Sequence, residues 1–373
     1  MAHRLSFSTE NNMGGRRTGA FGVMRDKLQD GHGRSVDYLR ISVTDKCNYR
    51  CVYCMPEEGV PQRSHSDMLS AEEIARFVRL VAGKGIRRVR LTGGEPLVSK
   101  RILPLISELR AIPGIEDISL TTNGVLLPKL APALKTAGLD RVNISLDTLD
   151  PALFAKITRL GRVEQTLAGI EAALDQGFDP VKLNCVVVRR LDQDILDIAR
   201  LSVERPLHVR FIEYMPIGTD DHRGFSTPPC GVDDLRPEEW DASDIVPSEE
   251  LRARIDVEAS SWGLGSLEPM DGGQGPRGAG PARYWRFPHA LGTVGFISSM
   301  SNHFCGACNR MRLTADGTIR PCLFSDEEYP ILEPLRAGDD ARVFEIWGDA
   351  LAHKPQEHDV AGATARFMSQ IGG

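Results

Sequence analysis

The sequence predicts an α/β fold in which six βα units surround a parallel sheet, and three observations point to it. Between Tyr38 and Tyr214, short β-branched runs alternate with segments whose apolar residues recur at helical spacing, the pattern of a parallel sheet covered by its crossover helices. The residues able to do chemistry fall just after the expected strand ends, where parallel αβ barrels carry their sites. The chain of 373 residues, 41% of them hydrophobic, is long enough to bury one large α/β domain with a smaller attachment.

Residues 1–33 are rich in Gly, Arg, Asn and Ser without an apolar period; such a stretch cannot repay the entropy of ordering, so a mobile N-terminal tail is expected. Strands are expected over 38–43, 86–91, 117–121, 141–146, 181–188 and 207–213. The first helix opens with Ser70 as N-cap and Glu73 completing a capping box, and it places Ile74, Phe77, Val78 and Val81 on one face. Gly83 and Gly85 end it. Further helices are expected over 102–109, over 128–136 before Gly138, and over 163–176 before Gly177. Residues 34–217 are thus a barrel-like unit and 218–373 a C-terminal region. Within the latter, 219–280 is rich in Pro, Gly, Asp and Glu with a glycine-heavy run at 272–280, and it reads as a partly irregular insertion or linker. Short strands are expected over 283–287 and 293–297.

A formal net charge of -6 gives no reason to expect a general nucleic-acid binder, so an anionic ligand must meet a local basic pocket. No apolar run reaches the roughly 18 residues of a membrane span, and the first thirty residues lack the apolar segment of a secretory signal. A cytoplasmic protein without a membrane partner is expected. In that compartment eight cysteines are not a disulfide scaffold, and six of them form two tight groups. Cys47, Cys51 and Cys54 form C-x3-C-x2-C; Cys305, Cys308 and Cys322 form C-x2-C-x13-C. Cys185 and Cys230 stand alone and read as buried or incidental thiols.

Three thiolates on so short a loop can ligate three irons of a [4Fe-4S] cluster and leave the fourth iron open for the amino and carboxylate groups of S-adenosylmethionine. A structural zinc knuckle is the alternative, though zinc prefers four ligands. Gly93 and Gly94 let a ligand approach the backbone at a strand end, and Glu95 offers a carboxylate to its ammonium group. The second group is ambiguous by spacing, since it suits zinc with His303 or a second cluster with another open iron. Arg310 and Arg312, directly after Cys308, suit a polyphosphate beside the metal.

The run from Leu39 to Pro56, LRISVTDKCNYRCVYCMP, resembles the molybdenum cofactor biosynthesis protein A family of radical S-adenosylmethionine GTP 3',8-cyclases. The paired cysteine groups, 90–96, 211–216 and the terminal Ile371-Gly372-Gly373 are similar as well, so the resemblance runs from about residue 34 to the end. It implies an incomplete (βα)6 TIM-type barrel closed by a C-terminal region that bears a second [4Fe-4S] cluster on Cys305, Cys308 and Cys322. By the same resemblance, Tyr53, Gly94, Ser145 and Met215 contact S-adenosylmethionine. Arg40, Arg90, Thr121, Lys182, Arg310, Met311 and Arg312 contact GTP, with Arg310 and Arg312 also catalytic. The implied reaction removes hydrogen from the ribose C3' and joins C3' to guanine C8, with the Gly-Gly tail reaching into the site. An external electron donor and handoff of product to cyclic pyranopterin monophosphate synthase are implied partners, and the chain is expected as a monomer or homodimer. The 219–280 segment with Cys230 is longer than the family pattern. A peptide-modifying radical enzyme with an auxiliary cluster, and a non-catalytic metal-binding scaffold, are the competing readings.

Overall fold

Period-two alternation within the strands decides the architecture, because it gives each strand one apolar face and one polar face. The computed structural model describes residues 28–61, 63–217, 240–270, 274–278, 280–358 and 364–372. β1 (Tyr38–Ser42), β2 (Arg88–Thr92), β3 (Asp117–Thr122), β4 (Arg141–Ser145), β5 (Val181–Val187) and β6 (Leu207–Glu213) pair side by side in chain order, all parallel. All six expected strands are present, each within two residues of its expected limits. The crossovers carry α1 (Ala71–Ala82), α2 (Ile102–Arg110), α3 (Leu127–Ala137), α4 (Pro151–Thr158), α5 (Val163–Asp175) and α6 (Ile195–Glu204).

In β1, Leu39 and Ile41 are fully buried under the helices with Val89 and Leu91 of β2, while Tyr38, Arg40 and Ser42 alternate to the other face. That inner face is mostly polar, with Val186 of β5 and Ile212 of β6 as apolar exceptions, and the interior is a chamber and not a packed core. The capping box expected for α1 is formed: Ser70 Oγ accepts from Glu73 N at 3.1 Å, and Ser70 N donates to Glu73 Oε2 at 2.7 Å. Two crossover helices were not foreseen. α4 begins on Asp150, which caps Leu153 N at 2.7 Å with Pro151 in the first turn, and α6 buries Ile195, Ile198 and Ala199.

The C-terminal region adds β7 (Glu268–Pro269), β8 (Arg283–Arg286), β9 (Thr293–Ile297), β10 (Arg310–Leu313), β11 (Thr318–Arg320) and β12 (Tyr329–Pro330). β9 joins β6 and β10 joins β1, both in parallel, which extends the parallel run at both edges; the other four pair antiparallel outside them. Among the described residues the strand order is linear, ending on β12 and β7. The segment 298–309 therefore links the two flanks of the six-strand core, and it carries Cys305 and Cys308. Glu213 at the end of β6 anchors this link by accepting from Met300 N and Ser301 N, both at 2.8 Å, and from Ser248 N at 2.9 Å.

Two expectations are corrected. The segment 219–280 is not a linker throughout: it holds α7 (Ser248–Ser261), whose buried Leu251, Ile255 and Ala259, spaced four apart, form a stripe against α6 and β6, so among the described residues α7 is the α-helix of the crossover between β6 and β9. Many charged residues among those three apolar positions hid the period. Residues 28–33, placed in a mobile tail, are ordered: Gln29 bridges to Ser35, and buried Asp30 accepts from His32 N, Arg34 N and Arg34 Nε. Residues 1–27, Cys230 and Gly373 lie outside the described residues. Among the described residues the remaining α-helices are α8 (Leu332–Ala337), α9 (Asp340–Ala352) and α10 (Met368–Ile371). Among the described residues no helix is long and apolar enough to cross a membrane.

Replacement Ser70→Ala removes the acceptor for Glu73 N and is expected to cost about 1 kcal/mol of stability, read as a lower denaturant midpoint at unchanged slope.

Candidate active site

The first cysteine loop leaves the C-terminal end of β1 and is held by backbone contacts to β2 and α4. Gly94 N donates to Thr44 O at 2.7 Å and Glu95 N to Lys46 O at 2.8 Å. A Cβ on Gly93 would overlap Thr44 O, and one on Gly94 would overlap Lys46 O. The two glycines thus seat the cysteine loop itself, a closer demand than the approach of a ligand. Arg50 N and Val52 N each donate at 2.9 Å to carbonyls at the end of α4, Thr158 and Ile157. Burial pushes the Cys47 thiol up to about 11 and the Cys54 thiol up to about 12, and it lifts Cys51 well above its ordinary value, with Cys54, Asp147 and Cys47 adding to the effect. All three line one cavity of about 1130 Å³, open to solvent at its mouth.

Two buried carboxylates stand in that cavity wall. Glu95 accepts from Asn123 N at 2.7 Å, Thr122 Oγ1 at 2.8 Å and Leu97 N at 2.9 Å; burial holds it up at about 7 against these three donors. Asp147 accepts from the Tyr53 hydroxyl at 2.6 Å and Val186 N at 2.9 Å, and burial raises it to about 6. Each keeps acceptor capacity for a cation.

The second triad forms at the other end. Tyr38, the first residue of β1, pairs in register with Arg310, and β11 runs antiparallel to β10, so Cys308 and Cys322 both lie beside the N-terminal ends of the strands. A five-residue strand spans about 17 Å, which sets the scale of the separation between the triads. Cys305, Cys308 and Cys322 line a second cavity of about 1090 Å³, likewise open at its mouth. Burial opposes ionisation of Cys308, yet Arg310 and Lys354 bring its thiol down to about 7. The two ends thus differ in charge: carboxylates beside the first triad, guanidinium and ammonium groups beside the second.

Between them runs a row of arginines. Arg40 is the register partner of Arg312 on one side and of Arg90 on the other, so three guanidinium side chains stand on three adjacent strands facing the chamber. Burial lowers all three, Arg90 and Arg312 to about 10, with the neighbouring arginines also lowering Arg40 and Arg312. Thr121, Asn184, Ile212 and Met215 line both cavities, so these four residues form a shared wall. The Thr121 Oγ1 atom is shielded from solvent there and has no hydrogen-bond partner.

Of the residues expected to meet S-adenosylmethionine, Tyr53, Gly94, Ser145 and Met215 all line the first cavity. Of those expected to meet GTP, Arg40, Arg90, Thr121, Arg310 and Arg312 line the second. Lys182 is buried on the chamber face of β5, where its Nζ donates to the carbonyls of Arg277 and Pro276. Met311 is not brought to the cavity: alternation along β10 turns its side chain outward with Leu39 into the helix-facing core. Arg312 donates to Gly372 O at 2.7 Å and Ile371 O at 3.3 Å, and Cys54 accepts from Ser369 N, so the C-terminal turn sits at the first-triad end of the chamber and reaches the middle of the arginine row. Cys185 is fully buried, as its reading as a bland thiol required.

Sequence reasoning missed Arg210, which is buried on β6 and donates to Asn143 Oδ1 at 2.7 Å and Asn184 Oδ1 at 2.5 Å. Its signal was available: Arg210 sits two residues from His208 and Ile212 on the chamber face of a strand otherwise apolar on its outer face. Lys354 and His358, which line the second cavity, had no such signal.

The donor chemistry suits iron-sulfur clusters in both places. Each set of three sulfurs faces one cavity without a carboxylate among its ligands; the first three thiols, kept protonated by burial, gain from a guest that binds them as thiolates, and at the second set Arg310 and Lys354 already favour the Cys308 thiolate.

Comparison with known proteins agrees with this arrangement. Residues 41–202 match the radical SAM superfamily and residues 207–360 match Molybdenum Cofactor Synthesis C. The chain is 47% identical over 350 residues to the GTP 3',8-cyclase of Heliobacterium modesticaldum, covering 92% of this chain and 99% of that protein. It is 48% identical over 350 residues to the GTP 3',8-cyclase of Pelotomaculum thermopropionicum, covering 93% and 100%. Among solved structures, Streptococcus suis SuiB bound to precursor peptide SuiA shares the fold, with a TM-score of 0.55 at 14% identity over 91% of this chain and 77% of that one. With relatives this similar over nearly its whole length, the chain belongs to the GTP 3',8-cyclase family of radical S-adenosylmethionine enzymes.

Proposed function

We propose that this protein cyclises GTP, joining ribose C3' to guanine C8 to give (8S)-3',8-cyclo-7,8-dihydroguanosine 5'-triphosphate in the first step of molybdenum cofactor biosynthesis. The reading rests most on one observation: two cysteine triads face adjoining cavities, one bordered by Glu95 and Asp147 and the other by Arg40, Arg90, Arg310 and Arg312. Cys47, Cys51 and Cys54 would hold a [4Fe-4S] cluster, which together with S-adenosylmethionine would supply the radical chemistry needed to remove the C3' hydrogen.

The chain's own residues then divide by charge. Tyr53, Gly94, Ser145 and Met215 hold the cofactor, whose positive charge suits the carboxylate end. Arg40, Arg90, Lys182, Arg310 and Arg312 hold the triphosphate, and Cys305, Cys308 and Cys322 would hold a second [4Fe-4S] cluster, which would supply an open iron for the guanine. Met311 contributes through its backbone alone. Thr121 Oγ1, on the shared wall and without a partner, suits a ribose hydroxyl between the two ligands. Clamping the substrate at both ends makes attack of C3' on C8 effectively unimolecular. Gly372, held by Arg312, closes the chamber on the cofactor side. An external donor delivers the electrons, and the product passes to cyclic pyranopterin monophosphate synthase. Cytoplasmic action fits six thiols that must stay reduced.

The deciding experiment is anaerobic reconstitution followed by product identification. About eight irons per chain and a cyclised nucleotide are expected; fully loaded protein that releases no nucleotide product rejects the assignment. Arg310→Ala and Arg312→Ala are each expected to lower GTP turnover at least tenfold while uncoupled S-adenosylmethionine cleavage persists, and equal loss of both activities contradicts the division of roles.

Lys182 gives a pH signature. Burial, with Arg210, Arg141 and Arg90 nearby, holds its ammonium down at about 6, so near pH 7.5 it is mostly neutral before the anion arrives. A triphosphate raises that value again, so GTP binding takes up about one proton and weakens as pH rises above about 6. Calorimetry in buffers of different ionisation enthalpy measures the uptake, which Lys182→Met is expected to abolish.

A further inference from the structure

The segment 353–358 closes over the second triad and is tied down at two points. Arg34, whose Nε is paired with Asp30 at 2.6 Å, donates to the carbonyls of Cys305 and Pro355 at 2.7 Å and of Gln356 at 2.8 Å. Lys354, only 3% exposed, donates from Nζ to Pro321 O at 2.7 Å, next to Cys322. These anchors deliver His358 to the metal site. Its Nδ1 lies 3.1 Å from Cys305 Sγ, and its backbone N–H also donates to that sulfur. The ring plane is set independently of the cysteine: it stacks on Phe324 with centroids 4.4 Å apart and planes at 19°, and it meets His303 edge-on at 5.3 Å.

We propose that His358 is a positioning residue of the second metal site, whose Nδ1–H donates to the Cys305 thiolate, aims that ligand and raises the reduction potential of the cluster it holds. The inference rests on the reading of Cys305, Cys308 and Cys322 as cluster ligands. A metal-bound thiolate is an acceptor only, so the imidazole proton must sit on Nδ1 in the loaded protein. The hydrogen bond draws electron density from the sulfur and stabilises the reduced, more negative cluster, as donors to ligating atoms do elsewhere. Packing alone does not explain the geometry, since a ring held by Phe324 and His303 could present carbon to the sulfur and instead presents nitrogen.

The test uses the full chain carrying Cys47→Ser, Cys51→Ser and Cys54→Ser, so that only the second site loads iron, with a reductive titration followed by electron paramagnetic resonance. About four irons per chain are expected in this background; no iron there overturns the reading of the second triad and the histidine's role with it, whereas the His358 variants test the histidine alone. With iron present, His358→Phe keeps an aromatic ring on Phe324 but removes the donor. It is expected to shift the reduction equilibrium about tenfold toward the oxidised form, a midpoint ~59 mV more negative for one electron. His358→Asn places an amide N–H near the former Nδ1 and is expected to restore most of the shift. Iron lost from the Phe variant but retained in the Asn variant supports the same role. An unchanged midpoint and spectrum in His358→Phe, or equal effects in both variants, overturns it.

Discussion

Three arginines in register on adjacent strands are hard to keep together without an anion. Two unit charges about 7 Å apart repel by about 2 kcal/mol at an effective dielectric near 20. Arg312, Arg40 and Arg90 set up that repulsion twice over, on a chamber face that burial makes less tolerant of charge. The outer face of the same strands compensates: Leu39, Ile41, Val89, Leu91, Met311 and Leu313 are buried with the covering helices, so the sheet is held by packing that the inner face does not have to supply. A barrel stabilised from outside can afford an interior that waits for a ligand.

The site follows from that division. The β1 loop is locked by the glycines of the β2 loop, which fixes the first triad beside two carboxylates. The second triad is assembled from remote parts of the chain: the β9–β10 link, the residues after β11, the segment 353–358 and the N-terminal Arg34. The four residues common to both cavities make the ends of the chamber neighbours, so a cation-seeking pocket and an anion-seeking pocket meet at Thr121. Arg312 belongs to both, because it stands in the cationic row and also grips the C-terminal turn.

Local features were legible wherever their cause is local. The Ser70 capping box, the strands of β1 to β6, the cysteine spacings and the glycine stops depend on residues a few positions apart. α7 was missed because Leu251, Ile255 and Ala259 are too sparse among charged residues to signal a helix until α6 and β6 supply its partner surface. The outward turn of the Met311 side chain was hidden because its neighbours in sequence, Arg310 and Arg312, face the chamber, and only strand pairing with Leu39 shows it. Gly94 has a further role that was not legible: its missing side chain makes room for Lys46 O, a partner 48 positions earlier.

By itself the sequence determined the chemistry: sulfur triads, a cationic set and a parallel α/β frame follow from residue type and short-range spacing. Only the tertiary structure decided where these act. The register of β10 on β1 puts the second triad at the opposite end of the strands from the first, and pairing between strands about 270 positions apart leaves no trace in local pattern. Side-chain alternation tells which residues share a face, but which faces meet is settled by long-range contacts, and those gave the chamber its two ends of opposite charge.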